Sequence, residues 1–363
     1  MRGCSSPHQA NCIASAPPMA DDLALAIFSV RPYDRYVVGE LLKSFPKAKV
    51  LDAPLNVNTA MLAQDCTAIN VFVNDDLSAE VLDLLAGYGV KCITLRCAGF
   101  DRVDIVRAHE LGITVLRVPA YSPYAVAEHA IALMMALNRQ VVKAHSRVLQ
   151  GNFDLSGLVG FDMHGKTVGV VGTGKIGQCA AAILRGFGCE VLVYDVFENQ
   201  EVKDMGCVYV SLDELLARSS IISLHCPLLP STRHIINPES IAKMKRGAMV
   251  INVSRGGLID TKAVLDGLKS RQIGSLGMDV YENEAGVFFI DQSTMSDDQP
   301  GASIPEGYDT MLGSLMAHPN VLVTPHMAFL TQDAIEKIAS VTVENLKEFI
   351  NGGPCGNKVL PPK

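Results

Sequence analysis

The sequence predicts an α/β protein of two domains, each built on a doubly wound parallel sheet, and three observations carry that prediction. Short apolar runs alternate with amphipathic stretches from residue 24 onward, the order expected of parallel βα units. A long helix candidate divides this alternation into two series. The chain of 363 residues is longer than one ordinary hydrophobic core organises.

In the first series, 24–30, 48–51, 68–71, 91–95 and 114–118 read as strands. Segment 122–140 follows as the long helix, with Ser122 as N-cap and Pro123 at the first helical position, where a missing N–H costs nothing. The second series places strands at 167–171, 190–194, 207–210, 221–224, 249–252, 275–279 and 321–324. Stretch 292–308, rich in Ser, Asp, Gly and Pro, lacks periodicity and reads as a loop insertion within a longer acidic segment, 291–315. A last helix, at about 331–351, is expected to pack back against the first domain. The expected domains are 21–119 together with 319–363, and 120–318.

Composition narrows the function. Hydrophobic residues at 48% against 19% charged describe a compact globular chain. A net charge of -7 without a basic stripe argues against nucleic acid as the partner and leaves a small molecule. No apolar run approaches the roughly 20 residues a bilayer demands, so a soluble protein is expected. The ten cysteines are scattered, with no Cys-x-x-Cys pair and no His/Cys cluster, which reads as reduced thiols and no metal site. The first 20 residues contain one Arg and no acid, and read as an unstructured leader. The expected location is cytoplasmic, or an organelle if that segment is a transit peptide.

The sharpest local signal is KTVGVVGTGKIGQCAAAILRGFGCEVLVYD, residues 166–195. Gly172, Gly174 and Gly177 follow an apolar strand and open a helix, around Lys175 and Ile176. In a dinucleotide site such glycines serve a tight turn, backbone approach to the pyrophosphate, and close packing of helix on strand. The helix N-terminus offers N–H groups and a positive dipole end to phosphate. Asp195 ends the next strand about 20 residues on, where a carboxylate can bind both ribose hydroxyls. Its charge would repel a 2′-phosphate, and Val196, Phe197 and Glu198 supply no cation to hold one, which favours NAD over NADP.

Hydride transfer to a 2-oxo acid needs a cation for the carboxylate, a proton donor for the carbonyl oxygen, and a partner that keeps the donor protonated. Downstream candidates are Arg255 in VINVSRGGLID, His326 in VLVTPHMAF and Glu284 in GMDVYENEAG. A guanidinium fork suits a carboxylate, imidazole is the usual general acid near neutral pH, and a carboxylate on one ring nitrogen stabilises the imidazolium and fixes its orientation. Singly, each has a plain structural explanation: a surface Arg, a solvated Glu, a turn His. Linear spacing does not show that the three meet.

Jointly the residues resemble the D-isomer-specific 2-hydroxyacid dehydrogenase family. The resemblance rests on RCAGFDRVD (96–104), YSPYAVAEHA (121–130), VGTGKIG (171–177), LHCPL (224–228), INVSRGGLID (251–260), GMDVYENE (277–284) and TPHMAFLT (324–331). It implies a flavodoxin-like substrate domain made from both chain ends, a Rossmann NAD-binding domain inserted between them, and catalysis in the cleft. It further implies Arg255, Glu284 and His326 as catalytic residues, and His225, Cys226, Pro227, Val253 and Asp279 beside the cofactor with the glycine turn and Asp195. Ala98 and Gly99 would hold the substrate carboxylate with Arg255, while Tyr121 and Phe329 would line the wall over the substrate methyl.

YENEAGVFF and HMAFLT resemble the D-lactate branch, which makes pyruvate the leading substrate, fermentation the setting and a homo-oligomer the expected assembly. Other D-2-hydroxyacid dehydrogenases or 2-oxo acid reductases, acting on hydroxypyruvate, glyoxylate or phenylpyruvate, are the alternative. A further alternative is an NAD-sensing binding protein on the same scaffold, similar to the C-terminal binding protein corepressors. The short tail, 352–363, speaks against it.

Overall fold

The computed structural model describes residues 23–284, 287–289 and 309–361, so the leader and stretch 292–308 lie outside the described residues. The chain divides into two compact units, Met1–Tyr121 with Ile335–Lys363, and Ser122–Ala334.

The first unit holds five parallel strands: β1 (Leu25–Ile27), β2 (Lys49–Val50), β3 (Ala68–Val71), β4 (Cys92–Leu95) and β5 (Thr114–Arg117). Their order is β2-β1-β3-β4-β5. The connections run through α1 (Arg35–Ser44), α2 (Ala79–Gly87) and α3 (Ile105–Glu110), and the strand order reverses direction at β1, the arrangement in which the general right-handed crossover rule puts helices on both faces of a sheet. Strands β3 and β4 are buried along their whole length, which explains their unbroken apolar runs. Leu82, Leu85, Ile93 and Val115 fill the core around them.

The second unit begins with α4 (Pro123–Asn138) and α5 (Val141–Leu149). Ser122 caps α4 by accepting from the Ala125 N–H, as its sequence position predicts. The strands are β6 (Thr167–Val171), β7 (Glu190–Tyr194), β8 (Val208–Tyr209), β9 (Ile221–Leu224), β10 (Ala248–Asn252), β11 (Ile273–Met278) and β12 (Val321–Val323). They lie in the order β12-β11-β10-β9-β6-β7-β8, all parallel, with the switch between β6 and β9. Helices α6 (Lys175–Gly186), α7 (Gln200–Asp204), α8 (Leu212–Arg218), α9 (Pro238–Lys243), α10 (Thr261–Lys269) and α11 (Thr310–Met316) connect them, and α12 (Gln332–Ile350) closes the helix series.

Two features depart from expectation. The second unit runs to Ala334 rather than ending at 318, because β12 pairs with β11 and so takes the segment around His326 into the larger sheet. Helix α5 was not anticipated. A left-handed Gln140, φ +52°, separates it from α4 without any Gly or Pro to signal a break, and none of its residues is buried.

Register does the work of assembling a site. Tyr194, Val171, Leu224, Asn252, Met278 and Val323 are successive partners in one row across the larger sheet. The next residue of each chain segment, Asp195, Gly172, His225, Val253, Asp279 and Thr324, therefore leaves the sheet along one carboxyl edge. That edge is where open α/β sheets bind ligands.

Candidate active site

At the switch point the glycine turn is shaped by close approach. Gly172 has φ +97°, and a Cβ there would lie 2.6 Å from the Cys226 nitrogen; a Cβ on Gly177 would lie 2.0 Å from the Gly172 oxygen. A Cβ on Gly174, by contrast, would enter open space in front of α6. Gly174 is the N-cap of α6 and provides no side-chain cap, whereas Ser122, Ser211 and Asp260 cap α4, α8 and α10. The uncapped N–H groups and the open space over Gly174 together fit a pyrophosphate.

Asp195 is tied to this turn. Its Oδ2 accepts from the Thr173 N–H at 2.6 Å and from the Thr173 hydroxyl at 3.1 Å, and its Oδ1 accepts from the Phe197 N–H. Val196 and Phe197 beside it are exposed and apolar. His225 follows β9 with Nε2 2.9 Å from the Ser223 hydroxyl, and its buried Nδ1 has no partner among the described residues. Burial lowers its pKa to about 4, so it stands neutral at pH 7. Burial also pushes the Cys226 thiol up to about 11, which leaves it unreactive.

Three neighbouring strands deliver the candidate catalytic residues. Arg255 follows β10, Glu284 follows β11 and His326 follows β12. The Arg255 loop is fixed at its base: Asn252, fully buried, donates from Nδ2 to the Arg255 carbonyl at 2.9 Å, and the Ser254 hydroxyl donates to the Cys226 carbonyl at 2.6 Å. Gly256 allows this loop to press on the next one, since a Cβ there would lie 2.0 Å from the Tyr281 carbonyl carbon. The Tyr281 N–H in turn donates to Glu284 Oε2, and Glu284 Oε1 lies 2.9 Å from His326 Nδ1. Both side chains are largely buried, at 15% and 14% exposed, which strengthens their attraction over that of a surface pair. Sequence reasoning left open whether these residues meet. They stand on adjacent loops, His326 and Glu284 in direct contact.

Asp279, expected beside the cofactor, is fully buried, and its carboxylate gathers the loop that carries His326. It accepts from the Thr324 hydroxyl at 2.5 Å, the Met327 N–H at 2.9 Å and the Ala328 N–H at 2.8 Å. His129 of α4 completes the group, with Nε2 3.0 Å from the Thr324 oxygen and 3.4 Å from Asp279. A carboxylate removed from water costs several kcal/mol unless such donors replace the water. Sequence reasoning gave His129 and Thr324 no role. The available signal was one imidazole, next to Glu128, in a stretch AVAEHAIALMMAL that is apolar apart from those two residues. Phe289 was missed too; its ring stands 5.8 Å from that of His326.

Among the other expected residues, Val253 is buried at the end of β10, Pro227 follows Cys226, and Phe329 shares the His326 loop. Ala98, Gly99 and Tyr121 belong to the first unit. The N–H groups of Ala98 and Gly99 have no acceptor among the described residues.

Residues 131–328, more than half of the chain, match the model of the D-isomer specific 2-hydroxyacid dehydrogenase NAD-binding domain. The chain belongs to this family. A 2-hydroxyacid dehydrogenase homolog of Haemophilus influenzae is 49% identical over 340 residues, 93% of this chain and 100% of its own length. The D-lactate dehydrogenase of Escherichia coli is 45% identical over 339 residues, 93% of this chain and 100% of its own. A solved structure described as the pyruvate reductase of Chlamydomonas reinhardtii superposes with a TM-score of 0.86 at 50% identity, covering 93% of this chain and 99% of that one.

This 2-hydroxyacid dehydrogenase is thus an NAD-dependent oxidoreductase of the D-specific type, and its Rossmann order of strands, glycine turn and Asp195 fit the cofactor. Among its described residues no helix is long and apolar enough to cross a membrane.

Proposed function

We propose that this dehydrogenase reduces pyruvate to D-lactate. The observation that carries the chemistry is the His326–Glu284 pair at 2.9 Å, one loop away from Arg255. The substrate assignment is supported by the names of the similar proteins, D-lactate dehydrogenase and pyruvate reductase, and by the aromatic side chains Tyr121 and Phe329, which suit a methyl group. NADH supplies the hydride when bound. Arg255 and the Ala98 and Gly99 N–H groups bind the carboxylate, and Arg255 also stabilises charge growing on the carbonyl oxygen. His326 engages Glu284 through Nδ1, which turns Nε2 outward to give its proton to that oxygen.

A panel of 2-oxo acids, followed through NADH absorbance, tests the substrate. Pyruvate is expected to give the highest kcat/KM. Glyoxylate is expected within about 10- to 200-fold of it, since an apolar wall distinguishes single methyl groups by only about 1–3 kcal/mol. A higher kcat/KM for hydroxypyruvate or phenylpyruvate removes the pyruvate assignment.

The working form is proposed to be a homo-oligomer that covers α5 and the arm after it. Lys143 and Arg147 donate to the arm's own carbonyls at Gly157 and Ser156, so the arm is internally satisfied in polar groups. Phe153, Leu155 and Val159 nevertheless point into solvent, Val159 at 90% exposed. Several large apolar side chains exposed on one short segment mark an association site, and a second copy of the arm is their simplest apolar complement. Sedimentation should show Leu155→Asp with Val159→Asp lowering the mass toward one chain. A wild type that sediments as one chain at micromolar concentration defeats the idea.

A further inference from the structure

We propose that Arg117 is the positioning residue of the carboxylate-binding turn, and that the C-terminal tail is its buttress. The inference rests on the proposed binding of the substrate carboxylate by the N–H groups of Ala98 and Gly99. It concerns what aims those groups.

A trans peptide is planar, so whatever holds its carbonyl fixes the direction of the N–H on its other side. The Ala98 N–H shares a peptide with the Cys97 carbonyl, which accepts from the Val118 N–H at 3.1 Å. The Gly99 N–H shares one with the Ala98 carbonyl, which accepts from the Arg117 guanidinium at 3.0 Å. Both carbonyls are drawn toward the end of β5 and its continuation, so both N–H groups point the opposite way. The cation on the Ala98 oxygen also polarises that peptide and makes the Gly99 N–H a stronger donor to an anion. Arg117 holds the turn at a second point, its Cζ lying 4.9 Å from the centroid of the Phe100 ring.

Arg117 can act as a fixed point because its own backbone is clamped. In the sheet it is the partner of Leu95, so it sits directly beside the strand end from which the turn departs. Its N–H donates to the Asn357 carbonyl at 3.2 Å, and its carbonyl accepts from Nδ2 of Asn345 on α12 at 3.0 Å. Asn345, at 1% exposed, accepts in turn from Asn357 Nδ2 at 2.8 Å. The tail then runs antiparallel beside β5, bridging Lys358 to Leu116, with the Val359 N–H on the Val115 carbonyl at 2.9 Å. Residues more than 220 positions apart in sequence thereby set the aim of one guanidinium.

The test is steady-state kinetics with NADH and pyruvate on the full chain. Arg117→Ala should raise the pyruvate KM by about 10-fold or more, with the NADH KM within about twofold and kcat falling far less than kcat/KM, the pattern of lost uniform binding. Arg117→Lys keeps a cation near the Ala98 carbonyl and should recover part of the pyruvate KM. Where the alanine variant does not fold, Arg117→Gln, which retains the stem and an N–H donor but no charge, replaces it. Gly99→Pro, which deletes the Gly99 N–H and leaves the Ala98 carbonyl in place, separates the two claims. An unchanged pyruvate KM in Gly99→Pro overturns the carboxylate-binding role of the turn and this inference with it. A raised KM in Gly99→Pro, with an unchanged one in folded Arg117→Ala or Arg117→Gln, overturns the role of Arg117 alone.

Discussion

His326→Asn is expected to lower kcat for pyruvate reduction by about 10³-fold, within the 10²–10⁴ that positioned proton transfer contributes, while NADH binding stays within about twofold. Asparagine is the informative replacement because of the backbone. His326 has φ +56°, a left-handed conformation that costs a residue with a Cβ about 1–3 kcal/mol when the surroundings impose it. Here Asp279 imposes it, by accepting the N–H groups of Met327 and Ala328 just beyond the histidine. Asparagine tolerates that conformation better than most residues, so the loop should keep its shape and the melting temperature should hold. A loss of turnover in a protein of unchanged stability then reports the missing proton donor. Turnover within tenfold of wild type would remove His326 from the chemistry.

The fold was legible because its signals are local. Strands at 68–71, 167–171, 190–194 and 221–224 match to the residue, since each is an apolar run bounded by turn or helix chemistry. The glycine turn and Asp195 were legible for the same reason, all lying within one βαβ unit. What sequence could not show was long-range. Asp279 and His129 are 150 positions apart, and their meeting over Thr324 depends on α4 lying against β11 and on the row that sets Met278 beside Val323. Arg117 was invisible in the same way, because its partners Asn345 and Asn357 come from the other end of the chain. Helix α5 escaped for a different reason: Gln140 takes a left-handed conformation usually announced by glycine, so no residue type in the sequence marks where α4 ends and α5 begins.

Arg255→Ala should cost about 10³-fold in kcat/KM for pyruvate, or roughly 4 kcal/mol of transition-state stabilisation. The size follows from the two duties proposed for one group: gripping the carboxylate and facing the oxygen on which negative charge grows. Stability should change little. The loop is held from below by Asn252 and Ser254 and sideways by the contact of Gly256 with Tyr281, and these remain when the guanidinium and its own hydrogen bond to the Ser254 carbonyl at 2.8 Å are removed. NADH affinity should hold as well, since the glycine turn and Asp195 lie on β6 and β7, away from β10 in the strand order. Arg255→Lys should recover only part of the rate, because a point charge cannot reproduce the planar fork. Added guanidinium ion should restore measurable turnover to the alanine variant and not to the wild type, which a merely structural role would not produce. If Arg255→Ala turns over pyruvate at near wild-type kcat/KM with its fold intact, the substrate is held by some other cation, and the proposed arrangement of carboxylate, carbonyl and His326 fails with it.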